Sequence, residues 1–571
     1  MCLVLSAACS CCVEMSPVRA DEPKPVARWT IAEISLTSSR TYTNPFTDTT
    51  VNAVFVHGDR RIKRPGFWDG GATWKVRFAP PEPGQWRWKT TCSDKSNTGL
   101  HCRTGSLRCV PYTGNNPNYR DGFIKVSPNR RYLVRADGTP FFWLGDTHWQ
   151  MADWERLHEN NAPDAAGRSQ FHQLVDDRAR KGFTVYQNYF TGHLRHWWKD
   201  DRYACIDPTR FGKVLDPMLD HLADRGFVIA QGIGLYNTAL RVPRASLVRL
   251  AEYVAARYGA HPLVWFTAQE VNLPPRAGKP TTDLDAWAAA AAAFATANGY
   301  GHPVGGHMFP GRPTVWGKQP WHTWFPLQGG HTNIGPRTQA DYRFYWGHQP
   351  RKPFLETEAM YEQIICGPRK ATAADVRHVA WKAMLSGSYG FTYGAAAVWL
   401  FKWDRADRRG HRYNPDTWWH EGMNLPGSTH MHHLRNFFTA IEWWKLQPRF
   451  AAPARCRFTQ PEETVLATEA DQRVVLYTYG KKRSLGSLLR LRPATTFTVC
   501  WFDPRTGRRR RMPDRLTTET GTLALPDKPD DEDWVLLLTR RKSGRVRRSP
   551  GTPHQPCSPS GASVRPISQV R

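Results

Sequence analysis

Pro262-Leu263-Val264-Trp265-Phe266-Thr267-Ala268-Gln269-Glu270 is a short apolar run that ends in an acid, and Lys352-Pro353-Phe354-Leu355-Glu356-Thr357-Glu358-Ala359-Met360-Tyr361 is a second. Apolar runs of this length, bounded by turn residues, read as strands buried on both faces of a parallel sheet. Working outward from them, strand and helix signals alternate. Phe141 to Asp146 is an apolar run ending in an acid, and helix-period sequence follows through Phe171, Leu174 and Val175. Thr184 to Tyr189 and Phe227 to Gly232 read as the next two strands, separated by a helix over Leu215 to Leu222. Leu247 to Tyr258 predicts the helix that leads into the Glu270 strand, and Trp287 to Ala297 the helix after it. His302 to His307 and Trp324 to Gln328 read as strands five and six. Gln339 to Trp346 is the helix before the Glu358 strand, and Val376 to Leu385 the one after it. Gly390 to Leu400 covers strand eight, and Met431 to Trp444 closes as a last helix. Eight alternations are the count of a (β/α)8 barrel. Glu270 and Glu358 are 88 residues apart. Three barrel units span about 94, so the acids fit strands four and seven, on facing sides of the barrel mouth.

The flanks read differently. Trp29 to Leu36, Thr50 to Val56, Trp74 to Phe78 and Trp86 to Lys89 are short strands broken by Asp69-Gly70-Gly71 and Pro80-Pro81-Glu82-Pro83-Gly84. After the barrel, Val474 to Tyr479 and Thr496 to Phe502 alternate in the same sense. Short alternating strands with turn signals argue for sandwiches. The expected fold class is therefore multidomain α/β plus β, a central (β/α)8 TIM barrel flanked by two β-sandwich domains. The expected boundaries are 1–27 for a leader, 28–115 for an immunoglobulin-like sandwich, 120–446 for the barrel, 447–540 for a second sandwich and 541–571 for a disordered basic tail.

Composition narrows the function classes. The 25 Trp suit a carbohydrate enzyme, because aromatic faces stack on sugar rings, although many must fill cores. The net charge of +28 hints at an acidic substrate. Its dense blocks, Arg508 to Arg511 and Arg540 to Arg548, accompany no nucleic-acid motif, so no nucleic-acid partner is expected. The 12 Cys carry no paired CxxC spacing, and no HExxH occurs, so neither a metal nor another cofactor is expected and a peptidase is disfavoured. Disulfides are open to Cys92, Cys102 and Cys109 in one flank and to Cys456 and Cys500 in the other. The leader through Ala20 loosely matches an export signal, though it lacks a basic start, and points to a secreted or periplasmic protein. No apolar run reaches the ~18 residues of a membrane span. The oligomeric state is left open.

Paired carboxylates on a barrel rim are what glycosidic bond cleavage needs: one protonates the leaving oxygen while the other attacks or activates water. Glu270 is assigned as acid, or acid/base, with Trp265 and Phe266 to desolvate it and raise its pKa. Glu358 is assigned as nucleophile or base, oriented by Tyr361 and Glu362. Glu356 is its rival, two residues earlier and on the same strand face if the strand continues. Asp146, Trp143, Tyr189, Gln328, His331, Tyr361 and Trp399 are expected to contact a carbohydrate substrate, Trp399 as a stacking platform. His307 is a further candidate at the end of strand five.

The ordered set of motifs resembles the apiosidase-like glycoside hydrolases. Gly66-Phe67-Trp68-Asp69-Gly70-Gly71, Trp74 to Pro80 and Gly84-Gln85-Trp86 match in the N-terminal flank. Trp143-Leu144-Gly145-Asp146-Thr147, Leu327-Gln328-Gly329-Gly330-His331 and the set Trp381, Gly387, Gly390, Tyr393, Gly394 and Trp399 match in the barrel. Trp443-Trp444-Lys445-Leu446 and Trp501 to Gly507 resemble the module labelled "putative collagen-binding". The resemblance implies an N-terminal sandwich, a catalytic barrel, a C-terminal sandwich and glycosidase chemistry, and it favours Glu358 over Glu356. Where the family has Gly-Gly-Asp this chain has Ala268-Gln269-Glu270, and where it has Asp-Gly-Glu-Pro this chain has Glu356-Thr357-Glu358-Ala359. The two expected readings are a glycoside hydrolase on a polysaccharide or oligosaccharide, pectic and apiosidase-like, and a non-catalytic carbohydrate- or matrix-binding protein on the same fold. The strand-four and strand-seven pair resembles that of retaining barrel enzymes.

Overall fold

The computed structural model describes residues 25–149, 166–189, 194–329, 337–399, 416–450, 456–470 and 472–541, with single positions between 402 and 414. Eight parallel strands form the centre: β1 Trp143–Thr147, β2 Val185–Tyr189, β3 Val228–Gly232, β4 Leu263–Phe266, β5 Val304–Gly305, β6 Phe325–Gln328, β7 Phe354–Glu358 and β8 Gly390–Tyr393. Except at β5 and β6, each pairs with its sequence neighbour, and β8 pairs back onto β1. Between β5 and β6 there is no ladder, only the bridge Met308 to Leu327, so the barrel is nearly closed. The intervening helices are α1 Gln170–Arg180, α2 Asp216–Asp224, α3 Arg244–Tyr258, α4 Leu284–Ala297, α5 Gln339–Gly347 and α6 Ala373–Leu385, and α7 Pro426–Thr439 follows β8. Thr338 and Thr372 cap α5 and α6, each with an Asp three residues on, so two orphan N–H groups are satisfied at each helix start.

Strand eight is shorter than expected. Ala395 makes a single bridge to Glu362, and Ala396 to Trp399 run on as turns, buried but for the half-buried Trp399, rather than paired in the sheet. The barrel strands themselves alternate. Along β1, Trp143, Gly145 and Thr147 face the lumen, while Leu144 and Asp146 face the helices. The side chains show it: Trp143 Nε1 donates to Thr392 on β8 at 2.9 Å, whereas Asp146 pairs with Arg178 on α1. Trp143, Trp324 and Phe266 fill the lower lumen, with ring centroids 5.4 Å apart at each step. The barrel is a packed core up to the level of the acids.

Before the barrel lie a five-stranded sheet and two three-stranded ones, and after it a six-stranded and a three-stranded one. In the strand Val51–His57, Val51, Ala53 and Phe55 are buried and their neighbours half-exposed, the pattern of a sheet covered on one face. Arginine joins each flank to the barrel. Arg77 and Arg257 converge on Asp216 at 2.6 and 2.7 Å, and Arg257 also reaches Asp69. Arg64, fully buried, donates to Ala255 and Ala256 in the last turn of α3 and to Ala297 at the end of α4, where the helix dipole favours a cation. On the other flank Arg377 of α6 grips Asp533 with two nitrogens. Arg509, Arg510 and Arg511 lie on the outermost strand of the six-stranded sheet, where charge discourages pairing with another chain. Cys92, Cys102, Cys109, Cys205, Cys366, Cys456 and Cys500 are free thiols, so none of the disulfides left open by the sequence forms among these residues.

Candidate active site

Glu270 and Glu358 meet at the C-terminal end of the barrel. Glu358 ends β7. Glu270 lies four residues beyond β4 and is held in the left-handed region, with φ of 53°. That conformation is uncommon for a residue with a side chain and is retained where surroundings fix it. Here His307 fixes it. Its N–H donates to Ala268, its carbonyl accepts from Val271, and its Nδ1 accepts from the Glu270 N–H at 3.4 Å. With Nδ1 accepting, the neutral ring carries its proton on Nε2, which faces Glu358 Oε2 at 3.5 Å. One imidazole thus touches the backbone of one acid and the carboxylate of the other.

The acids are also cross-linked by amides. Gln269, next to Glu270, donates to Glu358 Oε2 at 2.9 Å, and Gln328 of β6 donates to Glu270 Oε1 at 3.0 Å. Trp149 Nε1 donates to the Tyr361 hydroxyl at 2.7 Å, and both side chains favour the charged form of Glu358. Burial pushes the Glu358 carboxyl up to about 8, Glu270 adds to the rise, and Tyr361, Gln269 and Trp149 oppose it. Burial raises Glu270 as well, opposed by Gln328 and by the charge of Arg276. Tyr189 sits within reach of both: burial and the two carboxylates raise its phenol. Tyr361 packs where Gly394 has no side chain, since a Cβ there would lie 2.1 Å from its ring. Trp399, half-buried in the turn after β8, lies 5.9 Å from Tyr361.

Several expected residues fall elsewhere. Trp143 is buried in the barrel floor and cannot meet a substrate. Asp146 is on the opposite side of β1, ion-paired to Arg178 and 3.3 Å from His148, which holds its carboxyl below the usual range despite burial. It braces the wall and does not line the mouth. Trp265 stacks on Phe294 of α4 at 4.5 Å, so only Phe266 of that pair lies under the site. Glu362 accepts from Tyr393 and from the Gly427 N–H at the start of α7, not from the Glu358 region. His331 lies outside the described residues. Trp149 and Gln269 were missed. Trp149 continues the odd-numbered, lumen-facing column of β1, a signal present in the period-two pattern. Gln269 gave no signal of its own.

Glu356 is resolved by register. Leu327 pairs with Glu356 but Gln328 pairs with Glu358, so Thr357 is an extra residue in β7. Such a bulge reverses the alternation past it. Glu356 therefore faces outward to Arg337 at 2.8 Å, and Glu358 faces the lumen although it is two residues on. Among the described residues no group of His, Cys, Asp and Glu could hold a metal ion. No helix there is long and apolar enough to cross a membrane.

The model of the apiosidase-like catalytic domain matches residues 127–445, more than half of the chain. The chain belongs to the apiosidase-like family. Two further models match at its flanks: a domain of unknown function over 25–93, and the "putative collagen-binding domain of a collagenase" over 457–539. Among solved structures, a "putative glycoside hydrolase" from Bacteroides vulgatus is similar over 90% of this chain and all of its own, with 18% identity and a TM-score of 0.66. A family 5 glycoside hydrolase from the same organism is similar over 75% of this chain and 95% of its own, with 19% identity and a TM-score of 0.58. At these identities the likeness is one of fold. No curated protein matches the chain. The family match and the glycosidase neighbours together support a glycoside hydrolase for this apiosidase-like chain.

Proposed function

We propose that the chain hydrolyses glycosidic bonds in an oligosaccharide or polysaccharide, with Glu270 as general acid and Glu358 as nucleophile. One observation carries the reading: a buried carboxylate, Glu358, and a half-buried one, Glu270, converge on the barrel mouth, each fixed by a glutamine from the other acid's surroundings and both touched by His307. Burial raises both carboxyls, Glu358 to about 8, so the free pair keeps a proton near neutrality. The assignment places that proton on Glu270 in the reacting complex. Glu270 then protonates the leaving oxygen as Glu358 bonds to the anomeric carbon; water later attacks that carbon, giving its proton back to Glu270 and releasing Glu358. Trp399, Tyr189 and Tyr361 border the acids as sugar contacts. The same reading takes a pectic glycan as substrate, and with it a secreted or periplasmic location. Turnover of a pectic oligosaccharide panel, with Glu270→Gln and Glu358→Gln as controls, tests it. Retention predicts a product of unchanged anomeric configuration by proton NMR early in the reaction; an inverted product makes Glu358 a base acting through water. Binding without turnover by the unaltered protein would move it to the non-catalytic class.

A further inference from the structure

A second cavity, of about 650 Å³, lies at the opposite end of the barrel, between its floor and the C-terminal sheets. Its wall includes Arg131 from the turn before the barrel, Trp346 at the end of α5, Arg351 before β7, Tyr389 before β8 and Trp444 after α7. No residue lining it is acidic. Arg131 lies over the Trp346 ring, 3.8 Å from its centroid, and donates to the Trp346 carbonyl at 2.6 Å. Trp346 in turn lies against Gly387, where φ is 101° and a Cβ would come within 2.4 Å of the ring. The guanidinium is therefore seated on a ring that is itself seated on bare backbone. Arg351 is exposed, and neither arginine forms an ion pair with any described acid. They bear on one another: burial lowers Arg131, and the charge of Arg351 lowers it further. Two like charges beside one cavity are a standing repulsion that an anion would relieve. Tyr132 and Trp444, both half-buried, add aromatic surface to the same wall.

Fixed guanidinium, a second unpaired guanidinium and partly exposed rings are the features that recognise a carboxylate on a sugar ring: Arg offers a planar fork to the carboxylate, and aromatic faces cover the apolar face of a pyranose. We propose that this cavity is an accessory site for an acidic glycan, a chain of uronate units, separate from the acids at the barrel mouth. The choice of a glycan over another polyanion rests on the glycosidase reading; the choice of an acidic one rests on Arg131 and Arg351. The cavity lies at the N-terminal ends of β7 and β8, so a chain bound there does not enter the catalytic mouth. It would hold the enzyme on an anionic polysaccharide while the mouth works on a neighbouring stretch.

The test is calorimetric titration of the full chain carrying Glu358→Gln, which blocks turnover, with tri-galacturonate, the same trimer methyl-esterified, and a short single-stranded DNA. Tri-galacturonate binds with one site, Arg351→Gln weakens it about tenfold, and the ester loses most of the affinity. Arg351 makes no described hydrogen bond, so this variant tests binding without disturbing the fold, and thermal melting checks that. Arg131→Lys, which keeps the charge but not the planar fork, weakens binding less than Arg351→Gln. No binding of the acid trimer, equal binding of the ester, or unchanged affinity in Arg351→Gln overturns the proposal. Tighter binding of the DNA assigns the cavity to nucleic acid and overturns it as well. The glycosidase reading fails separately: if no glycan is cleaved while the acid trimer still binds through Arg351, the site stands and the catalytic assignment falls.

Discussion

Glu356 and Glu358 are two residues apart on one strand, yet they lie on opposite sides of the barrel wall and under opposite electrostatic conditions. On the helix side, Glu356 meets Arg337 and Asp146 meets Arg178, cations that never release their charge. On the lumen side, the groups that touch Glu270 and Glu358 are glutamine, tyrosine, tryptophan and histidine, with the charge of Arg276 acting on Glu270 from further off. Burial raises the Glu356 carboxyl to about 7 and Arg337 opposes the rise, but the ion pair ties that carboxylate to the wall, away from the mouth. A carboxylate among neutral donors, in a buried site, sits where its proton can come and go near neutrality. The wall thus separates acids that brace from acids that can react, and Thr357 decides which side each glutamate of β7 takes.

The largest effect expected from this contrast is catalytic. Glu270→Gln and Glu358→Gln each lower kcat/KM by about 10³-fold or more, measured on whichever glycan the panel identifies, because each removes a proton donor or a charge that the oxocarbenium-like transition state needs. Glu356→Gln costs less than about tenfold in the same assay. Full activity in Glu358→Gln with loss in Glu356→Gln would reverse the two sides of the comparison.

Stability should follow the opposite order. Arg337→Met leaves Glu356 buried without its cation and destabilises by about 3–5 kcal/mol in urea unfolding. Adding Glu356→Gln to that variant restores most of the loss, since an uncharged pair no longer needs compensation. If the double variant is as unstable as the single, Arg337 acts by packing and not by charge.

A smaller effect tests the lumen acid through pH. Glu358 in the folded chain is raised to about 8, above its unfolded value near 4.3. Between those values the folded state binds the extra proton, so its contribution to stability falls as pH rises through that window. Glu358→Gln cannot ionise. It should therefore melt a few degrees above the unaltered protein at pH 9 and close to it at pH 4, read by differential scanning calorimetry. An advantage at pH 4 that vanishes at pH 9 would contradict the sign.

The smallest effect belongs to the rim. Trp399→Ala raises KM by up to about tenfold and leaves kcat nearly unchanged, as expected for a contact made equally in ground and transition states. A fall in kcat without a change in KM would place Trp399 in the transition state instead.

Much of this was readable from the chain. The alternation of short apolar runs with helix-period segments located every barrel strand, because buried parallel strands need apolar residues on both faces. The spacing of Glu270 and Glu358 placed them on strands four and seven. Period two along β1 also forbids Trp143 and Asp146 from sharing the lumen, an exclusion available from their numbers alone. The bulge at Thr357 was not readable, since it exists only in the register between β6 and β7. Without it, Glu356 and Glu358 look interchangeable. Strand eight was overextended because Ala396 to Val398 are apolar for a different reason: they are buried as turns. The partners Arg337 and Arg178 come from helices and can be assigned only once those helices are packed.

The gap between β5 and β6 carries a further consequence. Here a ladder is replaced by Met308 N–H to Pro326 at 3.2 Å and by Thr323 N–H to Val304 at 2.8 Å. A wall with fewer interstrand bonds opens locally at lower free energy than its neighbours. His307, whose ring fixes both acids, stands at the top of that wall. Warming should therefore unsettle the spacing of the acids while the rest of the barrel is still folded, and amide exchange at residues 304–308 should quicken before the barrel melts. The upper temperature for turnover is then set by this seam, some degrees below the midpoint of global unfolding.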